Sequence, residues 1–170
     1  MKIVREGHPA LKTVCEPFDF ANPQHDPVAL ERQLSMAMFM EDGAGLAANQ
    51  IGVAVRAFVM VKERGLPVGV GYFNPEILSR SNAQQVGDEG CLSHPGLYVR
   101  IPRAMEIEAR WFNAAGEAQH GKFSGFLARC FQHECDHLDG KTLIDVAAPM
   151  AVLIARKKLM QRQQRKGRRR

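Results

Sequence analysis

Apolar residues fall at helical spacing after position 27, where Leu30, Leu34, Ala37 and Met38 share one face. The segment before them, Asn22-Pro23-Gln24-His25-Asp26-Pro27, reads as a loop that ends in a helix start, with Asp26 as cap and Pro27 in the first turn. Met36, Met38 and Met40 read together as core packing, and Gly43-Ala44-Gly45 breaks the helix. Val53 to Val61 is β-branched and aromatic, which predicts a buried strand. Gly65-Leu66-Pro67 and Asn74-Pro75 mark turns, with a further strand near Ile77-Leu78. Met105, Ile107, Ala109 and Trp111 alternate with Glu106, Glu108 and Arg110, a period of two that predicts a half-buried strand, closed by the turn Asn113-Ala114-Ala115-Gly116. From Ser124 the spacing is helical again: Phe126, Leu127, Cys130, Phe131 and His133 to Leu138, with Ser124 as cap and Asp139-Gly140 as stop. A last helix runs from about Pro149 into the C-terminal end. Short strands around an apolar helix predict an α+β fold, a single domain of mostly antiparallel sheets packed around the helix of positions 124–138.

Charge divides the chain. From Arg156 to Arg170 there are nine Lys or Arg and no acid, which leaves 14 basic against 18 acidic residues before it. The net charge of +5 is therefore about −4 for the body and +9 for the end. A boundary follows: 1–155 as one domain and 156–170 as a basic tail ending the terminal helix. No apolar run approaches the roughly 18 residues that cross a membrane, and the first residues lack the apolar stretch of a secretory signal. The expectation is a soluble cytoplasmic protein. There, Cys15, Cys91, Cys130 and Cys135 are expected as thiols or metal ligands rather than disulfides.

The chemistry starts at His133-Glu134-Cys135-Asp136-His137. Four helical residues turn through about 400°, so the two histidines lie on one face and can reach one metal ion. Glu134 sits beside them, placed to handle a proton without being a ligand. The apolar flank Leu127, Cys130, Phe131 and Leu138 argues against a solvated helix with chance spacing, because buried ionisable groups need partners. A hydrolytic centre needs a third protein ligand, and after His137 the chain offers Asp139 and Asp145 but no Glu or His. Cysteine is the natural candidate. Cys135 faces away from His133, Cys130 can reach the same side but reads as a small core residue, Cys15 reads as structural, and Cys91 follows Gly90, which lets backbone approach closely. The spacing alone leaves this open.

Three segments taken in order resemble the peptide deformylase family: Gly43-Ala44-Gly45-Leu46-Ala47-Ala48-Asn49-Gln50, Glu89-Gly90-Cys91-Leu92-Ser93 and Gln132-His133-Glu134-Cys135-Asp136-His137. The resemblance spans nearly the whole chain up to the tail. It implies an enzyme, a hydrolase that removes the formyl group from the N-terminal formyl-methionine of nascent polypeptides and releases formate. It implies Cys91, His133 and His137 as ligands of one divalent ion, ferrous iron in the cell, with zinc, nickel or cobalt able to occupy the site. Glu134 is then the general acid/base, Gln50 and the Leu92 N–H polarise the formyl oxygen, and Ala44, Gly45 and Gly90 pair with substrate backbone. Glu89, beside Cys91, is expected to orient His133, with Arg103 balancing its charge. His94, Tyr98 and Arg129 differ from residues common in the family and bear on affinity and on preference for the residues after methionine. The other histidines, His8, His25 and His120, read as surface residues.

Gly43-x-Gly45 follows a helix and lacks a Lys-Ser/Thr ending, so it does not read as a phosphate loop. The rival functions are a zincin-like endopeptidase, which needs the missing downstream ligand, and a non-catalytic ribosome-associated protein with the same fold. A closed structural zinc site would recruit a fourth ligand such as Cys130. The basic tail predicts attraction to RNA phosphates, and ribosomal RNA is the partner the resemblance implies.

Overall fold

A computed structural model describes residues 2–63 and 69–167. In chain order the elements are α1 (Pro27–Met40), β1 (Gly45–Ala47), β2 (Ala57–Val61), β3 (Gly69–Arg80), β4 (Gln84–Cys91), β5 (His94–Ala104), β6 (Glu106–Phe112), β7 (Ala118–Ser124), α2 (Gly125–Leu138), α3 (Leu143–Val146) and α4 (Pro149–Gly167). Short 3-10 turns occupy Pro9–Lys12 and Ala48–Ile51. The strands form two antiparallel sheets, one in the order β1-β2-β3-β6-β7 and one of β4 and β5. This is the mixed helix and antiparallel-sheet domain expected, although β3 and β5 run to 12 and 11 residues rather than being short.

The larger sheet is covered on both faces at β2 and the start of β3. On one face Ala57, Val59, Val61 and Phe73 pack against Leu30, Leu34, Ala37 and Met38 of α1. On the other, Phe58, Met60, Tyr72, Ile107 and Ala109 pack against Ala128, Phe131 and Leu138 of α2. Consecutive strand residues point to opposite faces, so one strand serves both layers. The β4–β5 sheet has its own core, in which Leu97, Val99 and Ile101 meet Leu143, Ala147 and Ala155.

Several details depart from the sequence reading. β2 begins at Ala57 rather than Val53, because the preceding residues turn to bond Glu16: its N–H reaches Ala54 O, and its carbonyl accepts from Arg56. Asn74-Pro75 is no turn but a bulge inside β3, where the β6 register shifts between Phe73 and Glu76. Proline donates no ladder bond, and a bulge is where a strand tolerates that. Asn74 adopts φ 47° there and ties its side chain to the Phe18 N–H and carbonyl. Asp26 caps α1 through the Ala29 N–H at 2.8 Å, but Ser124 at the head of α2 makes no side-chain cap bond. Met38 is core, while Met36 and Met40 are exposed. His8, His25 and His120 are exposed. The predicted turn Gly65-Leu66-Pro67 and the last arginines, Arg168 to Arg170, lie outside the described residues.

Candidate metal centre

Three segments meet at the site: the 3-10 turn that follows β1, the end of β4, and the middle of α2. One ligand atom from each of Cys91, His133 and His137 lies within 4.8 Å of the other two, and among the described residues this is the one such cluster of His, Cys, Asp or Glu. The Cys91 sulfur is 3.2 Å from His137 Nε2. A thiolate with two imidazoles is a donor set for zinc or ferrous iron. His133 Nδ1 is committed to Glu89 Oε2 at 3.0 Å, which leaves Nε2 for the centre. Burial, helped by the neighbouring His133, holds His137 well below the usual histidine range, and a ligand must be neutral. For His133 burial works the same way, but the hydrogen bonds its ring donates to Cys91 and Glu89 outweigh it and hold it well above the usual histidine range.

Glu134 is buried beside this cluster, and its Oε2 has no hydrogen-bond partner among the described residues. Burial pushes its carboxyl up to about 7, against the lowering pull of a charge on His133. The other face of the carboxylate lies against Gly45, where a Cβ would sit 2.3 Å from Oε1. That contact explains a glycine at this point of β1 better than backbone freedom does.

Gln50 is fixed at both ends of its amide. Its Oε1 accepts the Ala47 N–H at 2.9 Å, and its Nε2 donates to Ser93 Oγ at 3.1 Å and to the Cys91 sulfur at 3.5 Å. Leu92 stands in the tight turn between β4 and β5, its carbonyl held by Arg5. Ala44 and Gly45 line one side of a cleft of about 520 Å³, and Gly90 lines it too, with the Tyr98 ring packed where a Gly90 Cβ would be.

Glu89 is 5% exposed and its carboxylate is fully used. Arg103 grips it twice, Nε to Oε1 at 2.9 Å and Nη2 to Oε2 at 3.0 Å. Burial alone would raise this carboxyl, but the His133 and Arg103 hydrogen bonds hold it down at about 2. Arg103 also pairs with Asp136 at 2.7 Å. Cys130 does not join the cluster: its sulfur is buried near the Ala44 carbonyl, and burial pushes its thiol well up. Cys135 faces the core side and Cys15 is buried there too.

The sequence reading missed the roles of three contributors and one of the roles of a fourth. Ser93 steadies Gln50, and Asn49 Nδ2 donates to the His137 carbonyl at 2.5 Å. Asp136 takes the far end of Arg103, a role its place inside the motif hinted at. Arg129, expected to bear on substrate affinity, lines the cleft and also turns its guanidinium to Glu89 at 2.7 Å.

The chain is similar to known proteins along most of its length. A family model described as polypeptide deformylase matches residues 1–152. The peptide deformylase of Thermotoga neapolitana is 41% identical over 157 residues, covering 91% of each chain. Among solved structures, peptide deformylase from Thermotoga maritima superimposes with a TM-score of 0.80 at 36% identity, covering 87% of this chain and 97% of that one. A Met-Ala-Ser-bound peptide deformylase from Acinetobacter baumannii gives a TM-score of 0.78 at 28% identity, covering 86% of this chain and 97% of that one.

Proposed function

The chain belongs to the polypeptide deformylase family, and from that premise we propose how its residues divide the work. The family's reaction, and this protein's, is removal of the N-formyl group from nascent polypeptides. The observation that carries the residue assignment is the convergence of Cys91, His133 and His137 around one point with Glu134 beside it.

We assign Cys91, His133 and His137 as ligands of a divalent ion, read as ferrous iron, with zinc, nickel or cobalt able to replace it. When bound, such an ion supplies Lewis-acid polarisation and makes water more acidic. The chain's own residues do the rest. Glu134 accepts a proton from the attacking water as its oxygen bonds to the formyl carbon. The carbonyl oxygen becomes an oxyanion, and the Gln50 Nε2 and Leu92 N–H groups donate to it. Gln50 enters that role pre-set, because its amide is pinned by Ala47 and Ser93. The carbon–nitrogen bond then breaks, Glu134 returns its proton to the departing amine, and formate leaves. Ala44, Gly45 and Gly90 offer main-chain groups to the peptide along the cleft. The tripeptide Met-Ala-Ser bound to the A. baumannii enzyme supports formyl-Met-Ala-Ser as a test substrate.

We take residues 1–155 as the catalytic unit and 156–170 as a basic tail. Arg156, Lys157, Lys158, Arg162 and Arg165 are exposed on α4, which supports docking on ribosomal RNA through phosphates. No helix among the described residues is long and apolar enough to cross a membrane, and the proposed place of action is the cytoplasm. The endopeptidase reading is not favoured: the third donor is the upstream Cys91, not a residue after His137.

The test is an anaerobic assay of formate release from formyl-Met-Ala-Ser with iron or nickel. Wild type turns over, and Glu134→Ala and Cys91→Ala do not. Turnover that survives either change removes the assignment.

A further inference from the structure

The metal cluster draws its ligands from two separate elements. Cys91 ends β4, while both histidines ride on α2. Something must hold that strand and that helix at a fixed separation, because a metal site tolerates little drift in its ligands. Gln132 ties α2 to β5 through the Ala104 carbonyl and N–H at 3.1 and 3.3 Å, and Arg103 of β5 reaches Asp136. Apart from the contact of His137 with Cys91 inside the cluster, the side-chain bonds that join α2 to β4 among the described residues run through His133 and Arg129.

Arg129 lies one helical turn before His133, so both side chains leave the same face of α2. His133 takes Glu89 Oε2, and Arg129 Nη1 takes Oε1 at 2.7 Å. The same Nη1 donates to the Ile101 carbonyl of β5 at 2.9 Å, and Nη2 donates to the Gln85 carbonyl of β4 at 2.5 Å. One guanidinium thus bridges the helix to both strands of the small sheet. A planar fork with spread donors suits this better than the compact ammonium of a lysine. Arg129 also completes a charge balance, since Glu89 and Asp136 face Arg103 and Arg129 in one contiguous group. Gly87 makes the room: a Cβ there would lie 3.1 Å from both Cζ and Nη2 of Arg129.

We propose that Arg129 is a positioning residue that sets the separation between Cys91 and the histidines, and with it how firmly the metal is held, with Gly87 as the space it requires. The proposal rests on the ligand assignment above. Partners of metal ligands typically account for about 10–100-fold in affinity or activity.

The test uses the full chain loaded with cobalt and challenged with a chromophoric chelator. Cobalt absorption reports coordination geometry without reference to turnover. Expected for Arg129→Leu are metal release about 10–100-fold faster and altered cobalt bands. Arg129→Lys should fall between, keeping the charge on Glu89 but losing the strand carbonyls. Gly87→Val should mimic Arg129→Leu by displacing the guanidinium. Wild-type release from a folded Arg129→Leu overturns the proposal, and so does a raised KM with unchanged metal release. If Arg129→Leu does not fold, Arg129→Lys and Gly87→Val decide by the same readout. Cys91→Ala is the control: if it holds cobalt as wild type does, the ligand assignment has failed and not the role of Arg129.

Discussion

Replacing Gly45 with alanine tests the tightest contact in the cleft. An added Cβ would meet Glu134 Oε1 at 2.3 Å, Glu134 Cδ at 2.8 Å and the Cys130 sulfur at 2.9 Å. Ordinary contact starts near 3.4 Å, so the carboxylate must retreat by about 1 Å. It has little room, because Glu134 is 3% exposed and sits on a helix whose other side is packed in the core. A misplacement of about 1 Å in a reacting group costs on the order of 100-fold in rate. Overpacking also costs about 1–3 kcal/mol of stability. Gly45→Ala should therefore fold with a lowered melting point, keep its full metal content, since Glu134 is not a ligand, and lose about 100-fold in kcat. The assay is formate release from formyl-Met-Ala-Ser, with metal per chain measured on the same sample. A kcat within about threefold of wild type at full metal occupancy would show that the Glu134 position is not critical, and the proton-transfer role would have to move elsewhere.

Deleting 156–170 should abolish ribosome binding at moderate salt while activity on small formyl-peptides persists; unchanged ribosome affinity refutes the tail's role. Asp145 carries a pH signature of stability. Burial would raise its carboxyl, but the Lys12 ammonium and the Thr142 N–H and hydroxyl outweigh it and hold it below the ordinary 3.8. A lowered folded pKa stabilises above the unfolded value and is lost as pH falls through the folded one. The melting-point advantage of wild type over Asp145→Asn should thus be full near neutrality and shrink below about pH 4. A gap that stays constant down to pH 3 contradicts it.

The parts legible in the sequence were those where neighbouring residues share one environment. Leu30, Leu34, Ala37 and Met38 line one helical face, and Ile107 and Ala109 one strand face, so periodicity reported them. The histidine pair was legible because one helix presents both. The third donor was not, since Cys91 reaches the pair only through the turn of β4 into β5, and spacing carries no information across separate elements. Recognition of the family motif supplied it. The hairpin β4–β5 was overlooked although Leu97, Val99, Ile101 and Arg103 alternate inward along it. Pro75 disguised the middle of β3 as a turn, because a bulge and a turn draw on the same residues. Arg129 was noticed for the cleft it lines but not for its hold on Gln85, Glu89 and Ile101, partners that exist only after folding.

The aromatic residues behind α2 carry one last consequence. Phe131, two positions before His133, sits among Phe58, Tyr72 and Phe123 at ring distances of 5.1, 5.4 and 5.0 Å, and Trp111 closes the group at 6.4 Å. That indole is the single tryptophan of the chain. Its intrinsic emission is therefore a native gauge of whether the histidine-bearing helix is seated, legible in a cuvette without any label.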